Sequence, residues 1–133
     1  MELEEFLKEF KRYVMIGSRA LGVNTDNSDT DIACLYDDLP EYLKEVDKLD
    51  ASLYFNILPI GNIMLIRHTE PNVDIIIYKN IEQLNIIRQC IDDLKLVPKC
   101  ILKNKQLRCL LFEELMLHYG FERRVYLEDD ICI

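Results

Sequence analysis

The hydrophobic pattern of the chain changes its period at Asn80, and this change limits the folds that are open to it. Upstream, the runs 62–68 and 73–79 are rich in β-branched residues and flank the polar segment TEPN, which predicts an antiparallel hairpin. Downstream, apolar residues recur at helical spacing. One helix is predicted from Ile81 to Leu94, and a second from about residue 103 to His118, after Pro98 interrupts the pattern.

The N-terminal part adds further elements. Residues 2–12 form an amphipathic pattern typical of a short helix, 13–17 and 29–36 are predicted strands, and 37–50 are a predicted helix with Pro40 in its first turn. Residues 51–61 fit a helix or a strand. This order predicts an α/β (α+β) fold, in which a small mixed sheet is covered by helices and two helices end the chain.

Length and charge restrict the class of protein. At 133 residues the chain has the size of one domain, expected over 1–133 with a core at 13–79 and C-terminal helices at about 80–120. The net charge of −8 argues against an extended nucleic acid as a partner, because binding to phosphates needs clustered lysine and arginine.

The chain shows no sign of export or membrane insertion. Its acidic, amphipathic N-terminus does not resemble a signal peptide, and no apolar run approaches the ~18 residues of a membrane span. The five cysteines have no CxxC spacing, so we expect free thiols and a cytoplasmic location.

The segment GSRALGVNTDNSDTDIACLY, residues 17–36, places two acidic residues at the start of a predicted strand. Side chains alternate along a strand, so Asp29 and Asp31 point to the same face. Their carboxylates repel each other unless a cation lies between them. Mg²⁺ prefers such oxygen ligands together with substrate phosphates, and Mn²⁺ is the alternative.

A third acid, Asp74, opens the apolar strand VDIIIYK. If this strand lies beside DTDIACLY, Asp74 joins Asp29 and Asp31 in a metal-binding and catalytic cluster. On the other side, Gly17 permits close approach of the backbone, and the turn that starts at Ser18 offers N–H groups to a phosphate. Arg19 is a further candidate phosphate ligand, because its guanidinium can bind two oxygens.

These residues resemble the signature of the DNA polymerase β-type nucleotidyltransferase superfamily. That signature combines Gly-Ser, about ten residues, Asp-x-Asp and a later Asp in an apolar strand, here Gly17-Ser18, Asp29, Asp31 and Asp74. The fuller pattern is similar to small bacterial and phage nucleotidyltransferases and to minimal nucleotidyltransferase antitoxins. The resemblance implies metal-dependent attack of an acceptor hydroxyl on the α-phosphate of a nucleoside triphosphate such as ATP, with release of pyrophosphate.

Two other classes of function stay open. The chain could be a non-catalytic nucleotide-binding or antitoxin-like module that acts by occupying a toxin-like protein partner, or a structural domain with a bound metal ion. For an enzyme, the acidic charge favours a protein or a small molecule as the acceptor. A homo-oligomer is a further expectation, whereas the sequence leaves the base and the exact acceptor undefined.

Overall fold

The computed structural model describes residues 1–44 and 64–121. In this part of the chain, the helices and strands follow the predicted order, and we number them as follows: α1 (Leu3–Leu7), β1 (Val14–Ile16), α2 (Gly17–Ala20), β2 (Thr30–Leu35), β3 (Met64–Thr69), β4 (Asn72–Tyr78), α3 (Ile81–Leu94), α4 (Lys99–Leu102) and α5 (Lys105–His118). A 3-10 turn at Tyr36–Asp38 follows β2, and residues 41–44 are helical. Segments 45–63 and 122–133, which include the ambiguous segment 51–61, lie outside the described residues.

The four described strands form one mixed sheet in the order β1-β2-β4-β3. Strands β2 and β4 are parallel, and the β1–β2 and β3–β4 pairs are antiparallel. The predicted hairpin around TEPN is confirmed, since Thr69 pairs with Asn72 across the turn. The expected α+β class with a small mixed sheet is therefore confirmed.

Each face of the sheet carries its own apolar layer. On the face that we call the helical face, side chains such as Ile16, Ala33 and Ile76 pack with residues of α3 and α5. On the opposite face, Ile32 and Ile75 pack with Phe6 of α1. Alternation along the strands produces both layers, and burial of two layers is the main stabilising contribution to the fold.

Side-chain caps explain where the C-terminal helices begin. The Asn80 side chain accepts a hydrogen bond from the Gln83 N–H at 2.9 Å, so the change of period coincides with an N-cap. Asn104 caps α5 in the same way, through the Leu107 N–H at 3.1 Å. The second helix therefore starts slightly later than predicted, and the short helix α4 precedes it.

The first helix is shorter than predicted. It ends at Leu7, and the following turns bring Phe10 into the core. The Lys11 N–H then bonds to the Asp38 carbonyl at 3.0 Å instead of continuing the helix. This long-range bond competes with a local helical pattern that the sequence alone favours.

Among the cysteines that the structure describes, one departs from the expectation of free thiols. Cys34, Cys90 and Cys100 are free, whereas Cys109 is disulfide-bonded. Burial is the main cause that raises the pKa of the Cys34 and Cys90 thiols to about 12. These two thiols are core side chains with little thiolate character. Among the described helices, none has the length and apolarity needed to cross a bilayer.

The sequence pattern predicts a helix over 37–50, whereas Asp38 lies in the 3-10 turn and its buried side chain binds other parts of the chain. Its carboxylate accepts hydrogen bonds from the Leu35 N–H at 3.1 Å and the Arg12 Nε at 3.3 Å. Replacement Asp38→Ala should therefore lower the free energy of unfolding by about 1.5–3 kcal/mol, the usual range for a charged hydrogen-bonding group. Urea unfolding measures this loss. Asp37→Ala, at the exposed neighbour, is the matched control, and equal losses in both variants would contradict the connecting role.

Candidate active site

A row of paired residues crosses the helical face at one end of the sheet. Asp31 of β2 is the register partner of Asp74 of β4, and Ile16 of β1 and Arg67 of β3 continue the row on either side. Paired residues on neighbouring strands lie about 4.8 Å apart and point to the same face. The strands that carry Asp31 and Asp74 are therefore adjacent, as predicted.

Asp31 is the electrostatic centre of this row. Its pKa is raised from 3.8 to about 7, first by burial and then by the negative charges of Asp74 and Asp29. The positive charges of Arg108 and Lys105 oppose this rise. A partly buried carboxylate among other carboxylates is a group that gains from a nearby cation, whether from a side chain or from a metal ion.

Asp29 lies just before β2 and is held from the side of the hairpin. Asn72 Nδ2 donates to Asp29 Oδ1 at 2.5 Å. Within residues 1–44 and 64–121, the geometry contains no preformed group of three or more His, Cys, Asp and Glu side chains that could hold a metal ion. Asp31 and Asp74 still provide two carboxylates, the number that Mg²⁺ commonly takes together with substrate phosphates.

The backbone of Gly17 lies directly against the side chain of Asp31. It has a φ of +76°, and a Cβ at this position would lie 3.1 Å from Asp31 Cγ and 3.2 Å from Asp31 Cβ, and closer still to the carboxylate oxygen. Glycine is required here for two independent reasons, the backbone conformation and the space. Gly17 therefore shapes the carboxylate site and also begins the turn α2.

Arg19 and Ser28 organise the loop between α2 and β2. Arg19 Nη2 donates to the Ser28 carbonyl at 2.8 Å, and Ser28 Oγ accepts from the Thr25 N–H at 2.8 Å. Within the described residues, Arg19 Nε is buried and has no hydrogen-bond partner. The structure thus gives Arg19 a bracing role, and its predicted contact with phosphate stays a prediction. Ser18 is partly buried at the start of the same turn.

Four residues around this site do not stand out from their sequence pattern. Arg67 and Asn72 could have been found from the predicted hairpin. A two-residue loop pairs Thr69 with Asn72, and counting back from this pair places Arg67 opposite Asp74. Arg108 had a weaker signal, as a cation four residues before Phe112 on a helix. The effect of the Lys105 charge on the pKa of Asp31 depends on how α5 packs against the sheet, so no local sequence pattern indicates it.

Aspartates on adjacent parallel strands, next to a glycine turn at one end of a mixed sheet, define the class of fold expected from the Gly-Ser and Asp-x-Asp motif. A family model described as "Nucleotidyltransferase domain" matches residues 1–114, so the chain belongs to this family. Neither a curated protein nor a solved structure matches the chain. The family match extends through the first ten residues of α5, which include Arg108.

Proposed function

We propose that the protein transfers a nucleoside monophosphate from a nucleoside triphosphate to an acceptor hydroxyl. The observation that carries this proposal is the pairing of Asp31 with Asp74 on adjacent strands, beside Gly17, in a chain of the nucleotidyltransferase family. In the reaction, a bond forms between the acceptor oxygen and the α-phosphorus. The bond from the α-phosphorus to the bridging oxygen breaks, and pyrophosphate leaves.

Asp31 and Asp74 are the residues that would hold Mg²⁺, and Asp29, whose Oδ1 accepts a hydrogen bond from Asn72, is the third proposed ligand. The donor set fits this ion, because all the ligands are hard oxygens and the pKa of Asp31 is raised mainly by desolvation and by like charges. The ion supplies charge neutralisation at the transferred phosphate. Mn²⁺ fits the same ligands.

The side chains of the site have separate proposed roles in the transfer. The Asp74 carboxylate accepts the proton of the acceptor hydroxyl as the new bond to phosphorus forms. Asp31 would orient the α-phosphate through the cation that it holds, and Asn72 positions Asp29 through its hydrogen bond. Gly17, Ser18 and Arg19 remain the proposed phosphate side of the pocket, where Gly17 leaves room for close approach.

The acceptor is proposed to be a protein or a small molecule, because the net charge of −8 opposes the binding of long nucleic acid. The proposed location is the cytoplasm. The free thiols of Cys34 and Cys90 are compatible with it, although a disulfide at Cys109 is uncommon in that compartment.

The transfer can be tested with α-labelled nucleoside triphosphates, Mg²⁺ and a bacterial extract separated into protein, RNA and small-molecule fractions. We expect label in one fraction with the wild type, and a rate lower by about 10³-fold or more with Asp74→Asn, since several kcal/mol of transition-state stabilisation are lost. Asp26→Asn, a substitution at an exposed position of the neighbouring loop, should retain the wild-type rate.

Two results would contradict this assignment. The first is the absence of label transfer and of pyrophosphate release with all four nucleotides. The second is an Asp74→Asn variant as active as the wild type. Co-purification of a stable partner, with a cellular effect that survives Asp29→Asn and Asp31→Asn, would instead support the non-catalytic module.

A further inference from the structure

Helix α5 is apolar on two opposite sides. Its inner side packs in the helical-face cluster through Phe112 and Met116. The side that faces away from the core, which we call the outer side, carries Leu107, Leu110 and Leu117. Leu107 is 44% exposed and Leu110 is 53% exposed, whereas the outer side of a surface helix is ordinarily polar. The outer side of α5 is therefore a candidate contact surface.

The outer side also has the spacing of a helix-pairing seam. Its residues follow one another at intervals of three, four and three positions, as Leu107, Leu110, Glu114 and Leu117. Apolar residues at this alternating spacing are typical of surfaces along which two helices pack side by side. The occupant that fits is another helix with such a seam, and a second copy of this chain supplies one.

The charges along this part of the chain are polarised. Residues 95–108 include five lysine and arginine residues and no aspartate or glutamate. Residues 109–118 include Glu113 and Glu114 and no lysine or arginine. An antiparallel pair of α5 helices therefore places the basic start of each helix beside the acidic end of the other, whereas a parallel pair brings like charges together. The charge pattern is self-complementary in the antiparallel orientation only.

We infer that two copies of the chain associate through the outer sides of their α5 helices, which run antiparallel about a two-fold axis. Two-fold symmetry is the commonest arrangement of homo-oligomers, and it makes every contact occur twice. With the axis between Leu107 and Leu110, each of these leucines faces the other one in the second copy. The same register places Lys103, just before the Asn104 cap, beside Glu114 of the second copy. This inference is independent of the proposed function.

Sedimentation equilibrium of the full chain measures the association. Two helices about 20 Å long form an interface at the small end of the stable range, so the wild type should dimerise between about 1 and 100 μM. Leu110→Glu should raise the dissociation constant about 100-fold, because a charge enters the interface twice and each costs about tenfold. The residue is exposed in the single chain, so the variant should fold normally.

Ile81→Glu is the matched control for this substitution. It also replaces an exposed apolar residue by an acid, but at the start of α3, where Ile81 is 38% exposed. Its dissociation constant should equal that of the wild type. Leu107→Glu, on the outer side of α5, should in contrast weaken the dimer as Leu110→Glu does.

Charge reversal tests the antiparallel orientation. Glu114→Lys should weaken the dimer about fivefold at low salt, since exposed ion pairs contribute little individually and two are lost. Adding Lys103→Glu to this variant should restore the affinity, because the two charges exchange positions across the interface. High salt should reduce these differences. A double variant that is weaker than Glu114→Lys would overturn the antiparallel arrangement.

The remaining outcomes decide whether a second copy occupies this surface. A wild type that stays monomeric over the whole range overturns the inference, even if it binds another protein through the same leucines. A Leu110→Glu dimer as tight as that of Ile81→Glu also overturns it. Denaturing electrophoresis without a reductant should show single chains, and a dimer that persists there would show that a disulfide joins the copies instead.

Discussion

Asp31→Asn is expected to abolish nucleotide transfer and, at the same time, to stabilise the metal-free protein at pH 8. The loss of a proposed metal ligand should lower the transfer rate by about 10³-fold or more. The gain in stability follows from the environment of Asp31, which is partly buried and lies near Asp74 and Asp29. An asparagine at this position carries no charge that must be buried.

The pH dependence of this effect has a defined sign. The pKa of Asp31 is about 7 in the folded protein and 3.8 in its reference state. Between about pH 4 and pH 7 the folded state binds a proton that the unfolded state has released, so the stability of the wild type falls as the pH rises through this window. Above about pH 7 Asp31 is ionised in both states, and the free energy of unfolding is lowered by the full cost of burying its charge.

Thermal melting without metal measures this cost. We expect Asp31→Asn to melt about 4 °C above the wild type at pH 8, corresponding to roughly 1 kcal/mol, and the difference to shrink towards pH 4. Added Mg²⁺ should raise the melting temperature of the wild type more than that of the variant. Asp26→Asn, at an exposed loop position, is the control. A variant that melts below the wild type at pH 8 would show that the carboxylate is stabilised by its surroundings.

Gly17→Ala is expected to have the second large effect, through strain and displacement of Asp31. Alanine disfavours a φ of +76°, and its Cβ would overlap the Asp31 carboxylate. The strained backbone alone should cost about 1 kcal/mol or more. Because Asp31 must also move, the transfer rate should fall by about 10²-fold or more, as expected when a catalytic group is misplaced by an ångström.

Gly120 provides a matched control for this substitution. It has a φ of +107°, and a Cβ built there meets nothing within 4 Å. Gly120→Ala should therefore destabilise the protein to a similar degree in urea unfolding, but leave the transfer rate unchanged. If both alanine variants lose the same small fraction of activity, the contact between Gly17 and Asp31 has no part in catalysis.

Much of the fold could be predicted because its signals are local. The helix from Ile81 to Leu94 has the predicted bounds, since its apolar period and the Asn80 cap both lie in adjacent sequence. The hairpin followed from two β-rich runs around a short polar turn. The end of α1 could not be predicted, because a bond from Lys11 to the distant Asp38 decides it.

The sequence also identified the candidate site by its spacing. The pattern can be recognised from the sequence alone, because turn residues and acids within apolar strands stand out from their neighbours. It consists of Gly17-Ser18, Asp29, Asp31 and Asp74. The family match over residues 1–114 confirms the family, and the roles of these residues stay a prediction. The pairing of Asp31 with Asp74, in contrast, required the parallel register of β2 and β4.

The sequence by itself determined the types of element, their order and the acids proposed to form the site. Only the tertiary structure decided which charges meet, because Coulomb interactions depend on distance through space and on burial. It placed Arg67 opposite Asp74, Asn72 on Asp29, and Arg108 within the field of Asp31. Helices α3 and α5 lie on this face of the sheet through packing contacts between residues far apart in sequence, and no local pattern records such contacts.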